Sequence, residues 1–371
     1  MKILCTRDNL KRGIAHCERS IGKNPTLPIL GNVLIEAEKG LLKLTATNLE
    51  IGVVSTVRAK IEKEGKTTVP AQLLSGIIHN LKDEQINLEL NGQNLKIWSD
   101  NFQSKIRTIP AEDFPLIPRV EEGSSWKIKG KILAETLKRV IPSLATLETK
   151  LELTGVCITF RNDEVSIATT DGYRLAERKI KISGKSDMDS VFIVPGRSMQ
   201  EVERIFSEEE REISIITSEN QIAFQSEDVY FVSRLIEGQY PEYRQIIPSD
   251  FKAKMRIGKE ALTNSLRLAG IFSSHQTRDV KIKLEDDKIS LHTLSSELGE
   301  QSSVLKAETE GEKLEVVFNY QFLQDGLQSL PQEEVIFFLN GSDGPSMIRG
   351  IDEKSKKEVE DFLYIVMPIR Q

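Results

Sequence analysis

The sequence predicts an α+β fold used three times in succession, and three observations carry that prediction. Val69-Pro70-Ala71-Gln72-Leu73-Leu74, Val194-Pro195-Gly196-Arg197-Ser198-Met199 and Phe318-Asn319-Tyr320-Gln321-Phe322-Leu323 recur at steps of 125 and 124 residues. Each closes a β-rich run and opens an amphipathic helix. A second marker keeps the phase: Thr45-Ala46-Thr47-Asn48, Ala168-Thr169-Thr170-Asp171 and His292-Thr293-Leu294-Ser295 follow one another at steps of 123 and 124. A third of the 371-residue chain is long enough to bury its own core. The repeats are therefore domains rather than solenoid units.

Each repeat opens with a strand and a helix. Leu10, Ile14, Cys17 and Ile21 fall at helical spacing in the first, Leu133, Leu137, Val140 and Ile141 in the second, and Leu262, Leu266 and Ala269 in the third. Alternating or short apolar runs follow as strands, at 41–45, 86–90, 95–98, 156–160, 165–169, 213–217, 222–225, 229–233, 289–292 and 335–339. Asn91-Gly92, Arg161-Asn162-Asp163 and Glu285-Asp286-Asp287 punctuate them as turns. Proline-bearing linkers at 118–125 and 247–250 divide the chain into domains at 1–122, 123–248 and 249–371. Helices packed on one face of antiparallel sheet complete each domain.

Composition narrows the function. Hydrophobic content of 39% and charged content of 29% fit a globular domain, and no apolar run reaches the ~20 residues that span a bilayer. The N-terminus lacks the apolar core of a signal peptide. Cys5, Cys17 and Cys157 form an odd, unclustered set, read as reduced core thiols, so the expected location is cytoplasmic. The net charge is −6, yet the six predicted helices together carry +7, which leaves −13 on the remainder. A basic helical face on an acidic body suits a protein that holds a polyanion in one place. Solvated surface lysines account for the same count less specifically.

An enzyme is disfavoured. His16, His79, His275 and His292 are isolated from cysteines and carboxylates at metal-ligand spacing. No glycine-rich phosphate loop ends in lysine, so no cofactor is expected. Asp171-Gly172 reads as a turn. A metal-dependent nucleic-acid enzyme and a protein-only repeat scaffold remain the alternatives.

Several longer strings then become recognisable. Pro25-Thr26-Leu27-Pro28-Ile29-Leu30-Gly31-Asn32, Thr47-Asn48-Leu49-Glu50, Thr108-Ile109-Pro110-Ala111-Glu112-Asp113-Phe114-Pro115, Thr170-Asp171-Gly172-Tyr173-Arg174-Leu175-Ala176 and Val366-Met367-Pro368-Ile369-Arg370 stand in this order. Together they resemble the bacterial DNA polymerase III β sliding clamps, over the whole chain. The resemblance implies a processivity factor without a catalytic site. It implies a head-to-tail homodimer closing into a ring, helices inside and antiparallel sheets outside. A helix is ~10 Å across, so six side by side leave a hole of ~9 Å and twelve leave ~28 Å. A duplex ~20 Å wide passes only the second.

The resemblance also implies two sets of contacts and a seam. Weak, sequence-independent phosphate contacts to double-stranded DNA are expected from Lys11, Arg12, Lys23, Lys138, Arg139, Lys150 and Arg197. Asn24 replaces a basic residue found in some relatives. A peptide pocket for linear motifs of the replicative polymerase, the clamp loader, other polymerases and repair proteins is expected at Leu153, Thr170, Gly172, Tyr173, Arg174, Leu175, Pro241, Ile246, Asn319, Val366, Met367, Pro368, Ile369 and Arg370. Tyr173 and Ile369 stand where some relatives carry His and Met. For the dimer seam, Ile271 and Phe272 supply apolar surface. Lys96, Lys105 and Arg107 are set to meet Glu297, Glu300 and Glu308.

Overall fold

The computed structural model describes residues 1–22, 27–121, 123–146, 150–184, 189–273 and 278–370. Lys23 and Asn24 lie outside the described residues. Six α-helices stand among those described: α1 (Arg7–Cys17), α2 (Ala71–Asn80), α3 (Gly130–Val140), α4 (Gly196–Phe206), α5 (Lys259–Phe272) and α6 (Tyr320–Gln328). The starts of α2, α4 and α6 coincide with the first marker. Two compact units are formed. One comprises Met1–Ala134, Gln200–Leu235 and the Ser183–Gly184 strand, and the other the remaining described residues.

In the first unit, a five-stranded antiparallel sheet runs in the order Lys60–Lys63, Lys2–Thr6, Gln85–Asn91, Asn94–Trp98 and Gln103–Arg107. A nine-stranded sheet joins two runs. Ser183–Gly184, Ser124–Lys129, Glu212–Thr217, Gln221–Gln225 and Val229–Arg234 continue into Ile51–Arg58, Leu41–Thr47, Asn32–Glu38 and Gly65–Pro70. The join is the antiparallel pairing of Val229–Arg234 with Ile51–Arg58, where Val232 faces Gly52. Thr6 caps α1 by accepting a hydrogen bond from the Asn9 amide (3.4 Å). Leu10, Ile14 and Cys17 are buried, and a Cβ on Gly13 would come within 2.6 Å of Leu44 Cδ1. The helix thus lies close on its sheet. Ile21, expected on the same stripe, is buried from beyond the helix: α1 ends at Cys17, where the Ser20 amide turns back onto the Cys17 carbonyl (3.0 Å). Ser124 and Ser125, read as linker, begin a strand.

In the second unit the nine-stranded sheet again joins two runs. Ser190–Pro195, Gly155–Arg161, Glu164–Thr170 and Arg174–Lys181 meet Phe362–Val366, Ser346–Ile351, Glu334–Leu339, Ala253–Gly258 and Glu308–Gly311. The join pairs Arg174–Lys181 with Phe362–Val366, and Leu175 faces Ile365. A four-stranded sheet orders Gly299–Lys306, Lys288–Ser295, Asp279–Glu285 and Glu315–Asn319. Ile141, expected in the helical stripe of the second repeat, falls in a 3-10 turn at Ile141–Ser143. Pro142 lacks the amide that would continue α3. Gly326 brings α6 onto Tyr364, since a Cβ there would meet the ring at 2.6 Å. The Tyr364 hydroxyl then donates to the Phe322 carbonyl (2.8 Å). This close approach sets the wall of the groove described next.

Candidate functional site

The groove is built on the turn that follows the Glu164–Thr170 strand. Asp171 Oδ1 accepts from the amides of Tyr173 (2.9 Å) and Arg174 (3.0 Å). Thr170 Oγ1 donates to the Arg174 carbonyl (2.6 Å) and accepts from the Gly172 amide (3.0 Å). Gly172 takes the left-handed conformation (φ +90°) that glycine adopts without penalty. The turn leaves Tyr173 two-thirds exposed. Arg174 Nε donates to Asp171 Oδ2 (2.9 Å), and its other end is held by Asp325 of α6. Its guanidinium lies over the Phe322 ring, 4.4 Å from the centroid. Two carboxylates therefore balance the cation, so Arg174 fixes the position of Phe322 rather than offering free charge.

The terminal segment completes the groove. The Met367 amide donates to the Tyr173 carbonyl (2.8 Å) and that of Ile369 to the Val317 carbonyl (2.7 Å), which pins alternate residues. Gly172, Tyr173, Asn319, Phe322, Met367, Pro368, Ile369 and Arg370 surround a cavity of about 540 Å³. Beside it, Leu144, Ala145, Thr146, Lys150, Leu153, Asp171, Gly172, Tyr173, Arg174, Arg278, Gln321 and Phe322 line another of about 740 Å³. Both lie in the size range of ligand sites. Of the expected pocket residues, nine line these two cavities. Thr170, Leu175 and Val366 are buried beneath them, whereas Pro241 and Ile246 are exposed and outside both linings. Sequence reasoning missed Phe322, Asp325 and Tyr364. Phe322 sits off the buried Leu323–Leu327 stripe of α6 and inside a repeat marker, which is the signal that could have found it.

The basic candidates divide. Lys11 and Arg12 are exposed on α1, Lys138 on α3 and Arg197 on α4. Arg139 is half-buried, and burial with the neighbouring Arg178 lowers its pKa. Arg12 also borders a polar cavity with Arg58 and Arg211, where Glu227 and Asp228 offset the charge. Lys150 lies on none of the six α-helices but just before a 3-10 turn at Leu151–Thr154, where it lines the larger cavity with Gln321 and Phe322 of α6.

The seam candidates divide as well. Lys105 and Arg107 are exposed on the outer strand of the five-stranded sheet, and Glu300 on the outer strand of the four-stranded one. Lys96 is one strand further in, opposite Lys105, with Nζ 4.8 Å from the Trp98 ring centroid. Glu297 lies in the turn before the Gly299–Lys306 strand. Glu308 belongs to the nine-stranded sheet instead, 4.0 Å from Arg256. Ile271, at the end of α5, is 67% exposed, which removes it from the core.

Comparison with known proteins places this architecture. The N-terminal, central and C-terminal domain profiles of the DNA polymerase III beta subunit match residues 1–118, 127–242 and 244–370. A beta sliding clamp of Synechocystis sp. is 30% identical, with 100% of this chain and 99% of that relative covered. The DNA polymerase III beta subunit of Thermotoga maritima, known from a crystal structure, has a TM-score of 0.93 at 30% identity, over 100% of this chain and 99% of that one. A sliding clamp of Pseudomonas aeruginosa bound to griselimycin has a TM-score of 0.94 at 25% identity, with both chains covered in full.

Proposed function

The chain belongs to the DNA polymerase III beta subunit family, the non-catalytic sliding clamps, and from that premise we propose that two copies join head to tail into a closed cytoplasmic ring around duplex DNA. Domains at 1–122, 123–248 and 249–371 make up each half, with helices toward the hole.

The observation that carries this reading is a register. Arg107 and Arg234 are equivalent: they face Asn94 and Gln221. The next amides, Thr108 and Leu235, both donate to the hairpin tip, at Gln93 and Asn220 (3.0 Å each). Lys105 therefore corresponds to Val232. Gly52, Leu175 and Glu300 are equivalent in turn, since they face Thr47, Thr170 and Leu294. Val232 pairs with Gly52, so the same junction between two copies sets Lys105 against Glu300. The other join agrees. Arg234 and Met367 donate to the equivalent carbonyls of Glu50 and Tyr173, so Ile365, two residues before Met367, matches Val232, and it pairs with Leu175. Two independent junctions thus converge on one opposite-charge pair across the outer strands Gln103–Arg107 and Gly299–Lys306. Such a cross-strand pair contributes about 0.2–1 kcal/mol and fixes registry.

The exposed Lys11, Arg12, Lys138 and Arg197, with Arg139 and Lys23, touch phosphates weakly and without base readout, so the ring slides. Lys150 joins them at the groove rim. The groove walled by Phe322 and Met367 takes short linear motifs of the replicative polymerase, the loader and other partners. The griselimycin-bound relative supports a ligand-accepting surface in this family.

Lys105→Cys combined with Glu300→Cys tests the register. Opposed Cβ atoms in such a hydrogen-bonded pair lie about 5.5 Å apart, too far for a relaxed disulfide and within the span of a short thiol-reactive cross-linker. Treatment with a bismaleimide is expected to give a covalent dimer on a denaturing gel, with little from Lys105→Cys combined with Glu308→Cys. A chain that stays monomeric on that gel contradicts the proposed seam.

A further inference from the structure

The first unit repeats the groove's turn atom for atom, at a place the function above leaves unused. Asn48 Oδ1 accepts from the amides of Glu50 (3.0 Å) and Ile51 (2.7 Å), as Asp171 does in the second unit. Thr47 Oγ1 donates to the Ile51 carbonyl (2.7 Å) and accepts from the Leu49 amide (3.0 Å), as Thr170 does. The Arg234 amide donates to the Glu50 carbonyl (3.0 Å), in the place of Met367 on Tyr173. Around this turn lies a cavity of about 370 Å³, bordered by Leu49, Ile51, Pro115, Leu116 and Val232, with Arg234 at its edge. Gly52 sits at its floor, where a Cβ would meet Ile117 Cγ2 at 2.8 Å.

Two features show that this surface is more than a relic of the repeat. Leu49 occupies the left-handed conformation (φ +74°) where the second groove has Gly172. A branched residue there costs about 1–2 kcal/mol. It nonetheless leaves its side chain half exposed rather than buried. Strain of this kind collects at ligand sites. Leu116 beside it is 96% exposed. One cation also stands open: Arg234 is exposed at the edge of the groove and makes no ion pair among the described residues.

We propose that this first-unit groove is a second peptide site, which takes an extended segment of a partner protein carrying aliphatic anchors beside an acidic residue that meets Arg234. The inference rests on the peptide reading of the Phe322 groove. Leu49 fills space that Gly172 leaves open, so the anchors here are aliphatic rather than aromatic.

The test uses the full chain and a hexapeptide amide, SLSLDS, with photo-leucine at its second leucine and cross-links mapped by mass spectrometry. Labelling is expected both on 47–52 or 115–118 and on 319–322 or 367–370. Arg234→Glu, or lysine in place of the peptide's aspartate, is expected to lower first-groove labelling about fivefold, the effect of one exposed ion pair. Phe322→Ala is expected to lower only the second. The peptide arm needs no variant and so survives a misfolded Arg234→Glu. Labelling confined to the second groove overturns this proposal and leaves the reading of the Phe322 groove intact. Labelling of the first alone supports it and sinks that reading. Absence of both, or first-groove labelling indifferent to charge, overturns it, as does a change in oligomeric mass on Arg234→Glu, which would make the groove a contact between copies.

Discussion

At the scale of single residues, the groove depends on contacts that join distant parts of the sequence. Asp325 and Arg174 are 151 positions apart, and the stacking of that guanidinium on Phe322 emerges only once both elements are folded. The Asp-Gly-Tyr-Arg turn was legible from its residue types, whereas its partners on α6 were not. Truncating a central aromatic anchor typically costs 2 kcal/mol or more. Phe322→Ala is therefore expected to weaken binding of a short partner peptide at the proposed groove about 30-fold by calorimetry while the oligomeric mass stays unchanged. Unaltered affinity would remove Phe322 from the site. His16 gives a second expectation. Its Nδ1 lies 2.9 Å from Ser55 Oγ, and burial, then Arg204 and Arg12, pull its pKa down to about 4. The unfolded chain therefore takes up the proton first, near pH 6.5. This contribution is complete above pH 6.5, declines as pH falls toward 4, and is constant below. The decline amounts to about 3 kcal/mol. Urea midpoints at pH 7 and pH 5 should differ less in His16→Gln than in the unaltered chain, and an equal difference would deny the histidine this role.

Among elements, the sequence announces starts better than ends and strands better than sheets. The markers place α2, α4 and α6 because each couples a strand end to a helical stripe. The end of α3 was missed because apolar spacing runs through Pro142, although proline chemistry stops the helix there. Sheet membership is less local still. Glu308 follows the Gly299–Lys306 strand by two residues, yet Ala307, buried between, turns the chain into another sheet. The placement of α6 against the Phe362–Val366 strand rests on Gly326. Gly326→Ala forces a methyl onto the Tyr364 ring, an overpacking worth about 1–3 kcal/mol. A lower urea midpoint together with weaker peptide binding at the proposed groove is expected. A variant as stable as its parent would show that the ring can move aside.

For the whole molecule, three domains in one chain leave two outer strands whose chemistry is complementary, Gln103–Arg107 with Lys105 and Gly299–Lys306 with Glu300. In the proposed ring, complementary outer strands would favour closure over open aggregation, because the register of the two internal joins, carried to the seam, sets Lys105 against Glu300. The proposed enclosure is consistent with a small net positive charge on the helices within an acidic chain: a sliding ring would require repulsion to be absent, and strong attraction would arrest it. The most direct measurement loads the protein onto a nicked circular duplex with a clamp loader, isolates the complex by gel filtration at high salt, and then linearises the DNA. Retention on the circle followed by loss from the linear form is predicted. Release from the circle at high salt, or continued retention after linearisation, would contradict enclosure.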